Sequence, residues 1–140
     1  MLEDLLPIGI DNLLGETAAL KMAGYRLVTL TCTAADENHF DLLYHFDREL
    51  DLKHLRLEIA VETIVPSISP IYFAAFLVEN EIQDLFGIRF SGLAINYERT
   101  LYGEDKTRVT PFCKYTVATS RPAEVITKPE SGAIFTREEN

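Results

Sequence analysis

The chain has 140 residues, 47% of them hydrophobic and 25% charged, and 13 basic against 22 acidic residues give a net charge of −9. This composition fits one globular domain with a real core, and its negative field repels phosphate backbones and anionic lipid headgroups, which sets nucleic acid aside as a partner. The longest apolar run, Ile71 to Val78, falls short of the roughly 20 residues a bilayer span needs, and no basic-then-apolar leader opens the sequence, so a soluble, unexported chain is expected.

In chain order, Leu13, Leu14, Ala18 and Leu20 predict a short amphipathic helix between Asp11 and Gly24, with Gly24 in the left-handed stop position. The period then changes to two. Val28, Leu30, Cys32 and Ala34 form the apolar face of a predicted strand whose other face is rich in threonine. Asp36, Glu37 and Asn38 supply turn chemistry, and a second strand follows from His39 to Asp47, with Phe40, Leu42, Tyr44 and Phe46 alternating with polar residues. After a polar link, Leu55, Leu57, Ile59 and Val61 predict a third strand.

Ser69 and Pro70 form an N-cap and first-turn pair, which predicts a helix from Ile71 to Phe86 ended by Gly87. The stretch from Ile88 to Tyr102 reads as irregular with one short strand. From Pro111 onward, Pro122, Pro129 and Gly132 break any period. The expected organisation is therefore one α+β domain over residues 1–110, a two-layer arrangement of mixed or antiparallel sheet with helices packed on one face, and an extended tail over 111–140.

The Ile71 to Phe86 segment is apolar all the way round in its first half and carries Glu79, Asn80, Glu81, Gln83 and Asp84 in its second. So small a body has little bulk to enclose such a helix, and a partner surface is its natural cover; the alternative is that the hairpin and tail of this same chain wrap it. Glu81 and Asp84 lie about 60° apart on a helix, a spacing at which two carboxylates share a proton or a cation, but no third ligand or nucleophile stands nearby. His39, Asp41, His45 and Asp47 share one strand face, although His39 and His45 would stand about 20 Å apart. Cys32 reads as an inert core residue, and without a Cys-x-x-Cys pair the two cysteines, Cys32 and Cys113, fit a reducing cytosol and no iron–sulfur or zinc site held by this chain alone. No phosphate-cradling loop, nucleophile elbow or His-Glu-x-x-His is present.

At Val65-Pro-Ser67 and at Glu79-Asn-Glu-Ile-Gln-Asp-Leu-Phe-Gly-Ile-Arg-Phe-Ser-Gly92, the chain resembles the hydrophilic C-subunit family of respiratory NADH-quinone oxidoreductase and its hydrogenase relatives. The matching positions are Pro66, Ser67, Glu79, Glu81, Asp84, Phe86, Gly87, Ile88, Phe90 and Gly92. The resemblance covers residues 1 to about 103. It implies a non-catalytic scaffold subunit with no cofactor of its own, packed on a hydrogenase-like large subunit and near an iron–sulfur small subunit, with the nickel-iron centre and iron–sulfur clusters in those partners. Membrane subunits are reached only indirectly, from the cytoplasmic side of the cell membrane. The implied interface is the matching set together with Tyr72 and Phe76.

After Gly92 the quinone-reducing members continue with His-Pro-Asp-Leu-Arg-Arg, where this chain has Leu93-Ala-Ile-Asn-Tyr-Glu98, and their later Pro-Leu-Arg-Lys-Asp ending is missing. The short length and the Tyr97 to Tyr102 ending look more like the reduced form in energy-converting, Ech-type membrane-bound hydrogenases, in which electrons pass from a ferredoxin-type donor to protons with coupled ion translocation. Three alternatives stand beside this reading: the equivalent subunit of an NADH-quinone oxidoreductase, a small free-standing enzyme using Glu81 and Asp84, and a metal-binding factor using His39, His45 and Cys113.

Overall fold

The computed structural model describes residues 4–102. The tail expected over 111–140, Cys113 and the domain limit at 110 lie outside the described residues. The long strands are β2 (Arg26–Ala34), β3 (His39–Arg48) and β4 (Asp51–Ala60), and a short strand β1 (Leu5–Ile8) precedes helix α1 (Leu13–Met22). These four strands make one sheet in the order β1-β4-β3-β2, antiparallel throughout except for the parallel β1–β4 pair. A second, two-stranded parallel sheet joins β5 (Ile64–Pro66) to β6 (Arg89–Ser91), and helix α2 (Ala75–Phe86) lies between them in sequence. The architecture is α+β with a mixed sheet, as expected from the periodicity.

Period-two alternation builds the core. Phe40, Leu42, Tyr44 and Phe46 of β3, with Leu55, Leu57 and Ile59 of β4, turn to the helical side of the sheet and are all buried. Each fully buried side chain of this size stabilises the fold by about 1.5–3 kcal/mol before the entropy of ordering it is subtracted. Phe86 of α2 meets Phe40 edge-on at 6.0 Å, Phe46 packs on Tyr72 at 5.5 Å, and Lys21 of α1 places its ammonium 4.6 Å from the Tyr72 ring. Together these contacts fix both helices over one sheet face.

The opposite face is polar and tightly paired. Arg56 forks onto both carboxylate oxygens of Asp41, at 3.1 and 2.8 Å, and Arg26 grips Asp47. The β3–β4 turn is tighter than a polar link: Glu49 and Leu50 both have positive φ (52° and 70°), and the Asp47 carboxylate accepts the Leu50 N–H at 3.0 Å.

Several local expectations are corrected. β1 has no counterpart among the sequence-based elements. A register shift between Leu27 and Thr29 makes Val28 a bulge, so Val28 leaves the expected apolar face (50% exposed) while Leu27 turns half inward. Helix α2 begins at Ala75 rather than Ile71, with Ala74 as its N-cap and no side-chain cap, so Ser69 and Pro70 do not open it. Residues 68–74 are instead successive turns, held by Tyr72 N–H to Ile68 C=O and Ala75 N–H to Tyr72 C=O, both at 2.9 Å. At the other end Gly87 stops the helix as predicted, at φ 77° with its N–H on the Gln83 carbonyl.

Candidate functional site

The interior side of α2 carries Glu79, Asn80 and Gln83, all buried. Glu79 is 0% exposed and sits at the centre of a chain of donors. The Ile68 N–H donates to its Oε1 at 2.8 Å, and the Ser67 hydroxyl to its Oε2 at 2.5 Å. Ser67 Oγ accepts the Ser69 N–H at 3.0 Å and lies 2.7 Å from Ser69 Oγ, which in turn accepts the Ala94 N–H at 2.8 Å. When Glu79 is ionised and takes the Ser67 proton, the Ser69 hydroxyl donates to Ser67 and every donor in the row points toward the carboxyl; when Glu79 is protonated, its own proton can go to Ser67 Oγ and the row of hydroxyls reverses. This is what occupies Ser69 in place of a helix cap.

Asn80 and Gln83 continue the joint. The Asn80 amide donates to the Phe76 and Ile95 carbonyls at 2.7 and 2.8 Å, and its Oδ1 accepts the Tyr97 N–H at 2.8 Å. Gln83 accepts the Phe90 N–H at 3.1 Å and donates to the side chain of Asn96 at 3.2 Å. Three polar positions of the interior face therefore fasten the 67–69 turn, strand β6 and the 92–97 loop onto one helix. Backbone pairing of β5 with β6 extends only as far as the Ser67 N–H on the Ser91 carbonyl, at 2.8 Å, and beyond it the side chains supply the hydrogen bonds.

Burial pushes the Glu79 carboxyl from its ordinary 4.5 up to about 7, against the opposing pull of the Ser67 and Ile68 donors. Tyr44, behind it on β3, has its phenol pushed well up by burial and then by the nearness of Glu79, and its hydroxyl is buried without a hydrogen-bond partner among the described residues.

The outward side of the same region is apolar and open. Phe73 is 60% exposed, Leu77 50%, Ile95 40% and Tyr97 38%. Phe76 bridges them, its ring 4.9 Å from that of Phe73 and 6.5 Å from that of Tyr97. Acidic groups edge this patch: the Asp84 carboxylate accepts the Tyr102 N–H at 2.8 Å, and Glu81 reaches the Tyr102 hydroxyl, whose pKa rises through burial and then through that carboxylate. The patch is not visible in the linear sequence, because Phe73 and Leu77 come together with Tyr97 only through the Asn80 joint.

Of the expected interface residues, the chain's own packing buries Ser67, Tyr72, Glu79, Ile88 and Phe90, while Pro66, Phe76, Glu81, Asp84, Phe86 and Gly87 are half-buried and Gly92 is exposed. Glu79, placed by helical geometry well away from Glu81 and Asp84, is the carboxyl that matters inside the fold, and the signal for it was the Ser-x-Ser turn preceding the helix.

The strand histidines do not converge. His39 bonds Asp36 at 2.9 Å, whereas His45 pairs with His54 of β4, Nδ1 to Nδ1 at 2.7 Å, and reaches the Thr31 hydroxyl at 3.1 Å. The sheet face they share is therefore not simply solvated: His54 and Asp47 are buried and His45 half-buried. Cys32, half-buried on β2, has its thiol pushed up to about 12 by burial and by Asp41. Among the described residues, no group of three or more His, Cys, Asp or Glu side chains is placed to hold a metal ion, and no helix is long and apolar enough to cross a membrane.

Comparison with known proteins adds three similarities. Residues 10–122 match the family described as respiratory-chain NADH dehydrogenase, 30 Kd subunit. A 70-residue segment, 47% of this chain, is 34% identical to the C-subunit of the NADH-quinone oxidoreductase of Ruegeria pomeroyi, and this match spans about a third (35%) of that relative's length. Among solved structures, a chain of the membrane-bound sulfane sulfur reductase, an archaeal respiratory membrane complex, superposes with a TM-score of 0.64 at 21% identity, over 79% of this chain and 70% of that one. At that identity the likeness is one of fold.

Proposed function

The chain belongs to the respiratory-chain NADH dehydrogenase 30 kDa subunit family, and from that membership we propose that it is a scaffold subunit, without a catalytic centre or cofactor of its own, that docks on the redox arm of a membrane-bound complex. The observation that carries this reading is the aromatic patch of Phe73, Phe76, Leu77 and Tyr97. Its apolar side chains are held open to solvent by a network that fixes their geometry in advance, and contiguous exposed apolar surface of this kind marks an interaction site. A preorganised aromatic cluster loses little freedom on binding and so serves as an anchor. Glu81 and Asp84 beside it, and the net charge of −9, favour a partner with basic groups around an apolar socket.

The partner we assign is a large subunit related to that of nickel-iron hydrogenases, with the iron–sulfur small subunit alongside and the membrane subunits reached through them from the cytoplasmic side. The nickel-iron centre and clusters reside in those partners. The parent complex is an energy-converting hydrogenase of the Ech type, passing electrons from a ferredoxin-type donor to protons with ion translocation. What favours it is the Leu93 to Glu98 sequence standing where quinone-reducing members carry basic residues. A second reading, the equivalent subunit of an NADH-quinone oxidoreductase, draws on the 34% identical segment.

The test is co-purification of the large subunit with a tagged chain carrying Phe73→Ser and Leu77→Ser. Both side chains are at least half exposed, so the fold tolerates the change while docking is lost. Retention of the partner at full stoichiometry overturns the assignment. The co-purified large subunit also separates the two parent complexes, since paired Cys-x-x-Cys nickel ligands belong to the hydrogenase.

A further inference from the structure

The joint beneath the patch contains a group that ordinary packing avoids: a carboxyl closed off from water with no cation among the described residues against it. Glu79 is 0% exposed, and its contacts are the Ser67 hydroxyl and the Ile68 N–H. The titratable group whose charge couples to it is Tyr44 of β3, and Cys32 of β2 couples to Tyr44 in turn. Burial raises the pKa of both, which keeps them neutral around pH 7. The 67–69 turn and the 92–97 loop present serines and backbone amides to the joint; on the same helix Glu81 and the Oδ2 of Asp84 reach Tyr102, while Asp84 Oδ1 is buried without a hydrogen-bond partner among the described residues. No Lys, Arg or His among the described residues acts on the Glu79 carboxyl. An ionised carboxylate in such a place is far less favourable than one in water, so the buried carboxyl either holds a proton or gains by being uncovered.

We propose that Glu79 is a proton-operated latch for the docking face: with the carboxyl neutral the joint between the 67–74 turn and the 92–97 loop is closed, and its ionisation favours opening. This inference rests on the docking role proposed above for the patch, because the two segments that part on opening are those that carry Phe73 on one side and Ile95 and Tyr97 on the other. What moves is a proton between the carboxyl and water.

The direction follows from linkage. The closed form has a Glu79 pKa of about 7, and an open form with a solvated carboxyl has the ordinary 4.5. The closed form therefore holds its proton more tightly. Opening is suppressed at low pH, grows by up to about tenfold per pH unit between these two values, and flattens above about 7 once both forms are ionised. The orphaned Tyr44 hydroxyl adds a second buried polar group that regains a partner when water enters.

Hydrogen exchange on the full-length chain tests this directly, followed at the amides of Ile68, Ser69 and Ala94 from about pH 5 to 8 and divided by the intrinsic chemical rate. The expected result is a rise in opening of about a hundredfold that levels off near pH 7, absent from amides of β3 and β4. Glu79→Gln, which cannot ionise, should leave these amides level across the range. Ser67→Ala removes a donor that favours the ionised form within the closed joint, so its plateau should move to higher pH rather than merely scaling the rates. Infrared detection of the protonated carboxyl gives a second readout: its band should fade around pH 7 and be missing from Glu79→Gln. A level profile in the unsubstituted chain, or the same rise in Glu79→Gln, overturns the latch. Should the Gln variant not fold, an unshifted plateau in Ser67→Ala or a band that does not fade decides against it. These readouts need no partner, so loss of the latch and loss of docking, read by co-purification, are distinguishable.

Discussion

The carboxyl of Glu79 and the hydroxyl of Ser67, 12 residues apart in sequence, meet at 2.5 Å in an interior closed to solvent. A helix and the turn that precedes it are joined there by side chains rather than by a backbone ladder, and the neighbouring Asn80 and Gln83 extend the joint to the loop that follows.

Global stability should carry the signature of Glu79. Its folded-state pKa is raised from 4.5 to about 7, so its favourable contribution is complete below about 4.5 and is lost as pH rises through 7. The loss amounts to at most about 3–4 kcal/mol, taking about 1.4 kcal/mol per pH unit. Urea midpoints measured on either side of this window, compared with those of Glu79→Gln, check it: the substituted chain should lack this part of the pH dependence.

Asn80→Leu keeps the volume but removes the bonds to the Phe76 and Ile95 carbonyls and to the Tyr97 N–H. With backbone groups left unpaired, a loss of about 2–4 kcal/mol is expected. Denaturant unfolding should show it, together with faster exchange at Tyr97, and a change within about 0.5 kcal/mol would speak against the joint as described.

The β3–β4 turn holds Glu49 and Leu50 at positive φ, a two-residue turn that favours Asn-Gly. Leu50 is 92% exposed and contributes little packing there. Replacing the pair by Asn-Gly should stabilise the chain by about 1–2 kcal/mol, relieving a left-handed cost of similar size at each position. A raised thermal midpoint with unchanged far-ultraviolet dichroism would confirm it.

Protonation should weaken the His45–His54 contact. The His45 pKa lies below its ordinary 6.5, first through burial and then through His54. A base with a depressed folded-state pKa contributes stability that is present above 6.5 and lost as pH falls below it. His54→Leu should lessen the acid-side loss, which two-dimensional NMR titration of the imidazole of His45 would follow, with the pKa moving back toward the ordinary value.

Gly87→Ala should cost about 1–2 kcal/mol, because the residue that stops α2 sits at φ 77°, where a Cβ is disfavoured. Thermal unfolding measures it directly.

The periodicities of β3 and β4, the stops at Gly24 and Gly87 and the α+β class were all legible in the residues, because alternation and the left-handed preference of glycine are local properties that short windows express. The Phe-Gly-Ile motif after α2 likewise marked the family. Three features were not legible. The bulge at Val28 depends on the register against Phe46 and His45, and β1 depends on a parallel partner in β4. Ser69 looked like a helix cap because a cap is the partner available nearby, but the folded chain brings it the Ala94 N–H, 25 residues away, and starts the helix later.

The sequence by itself determined the three long strands, the helix that ends at Gly87 and the α+β class. Only the tertiary structure decided which of three nearby carboxyls is buried, and which aromatics are left exposed. Both outcomes depend on hydrogen bonds between residues distant along the chain, and their strength exists only once the fold has excluded water from Glu79, Asn80 and Gln83.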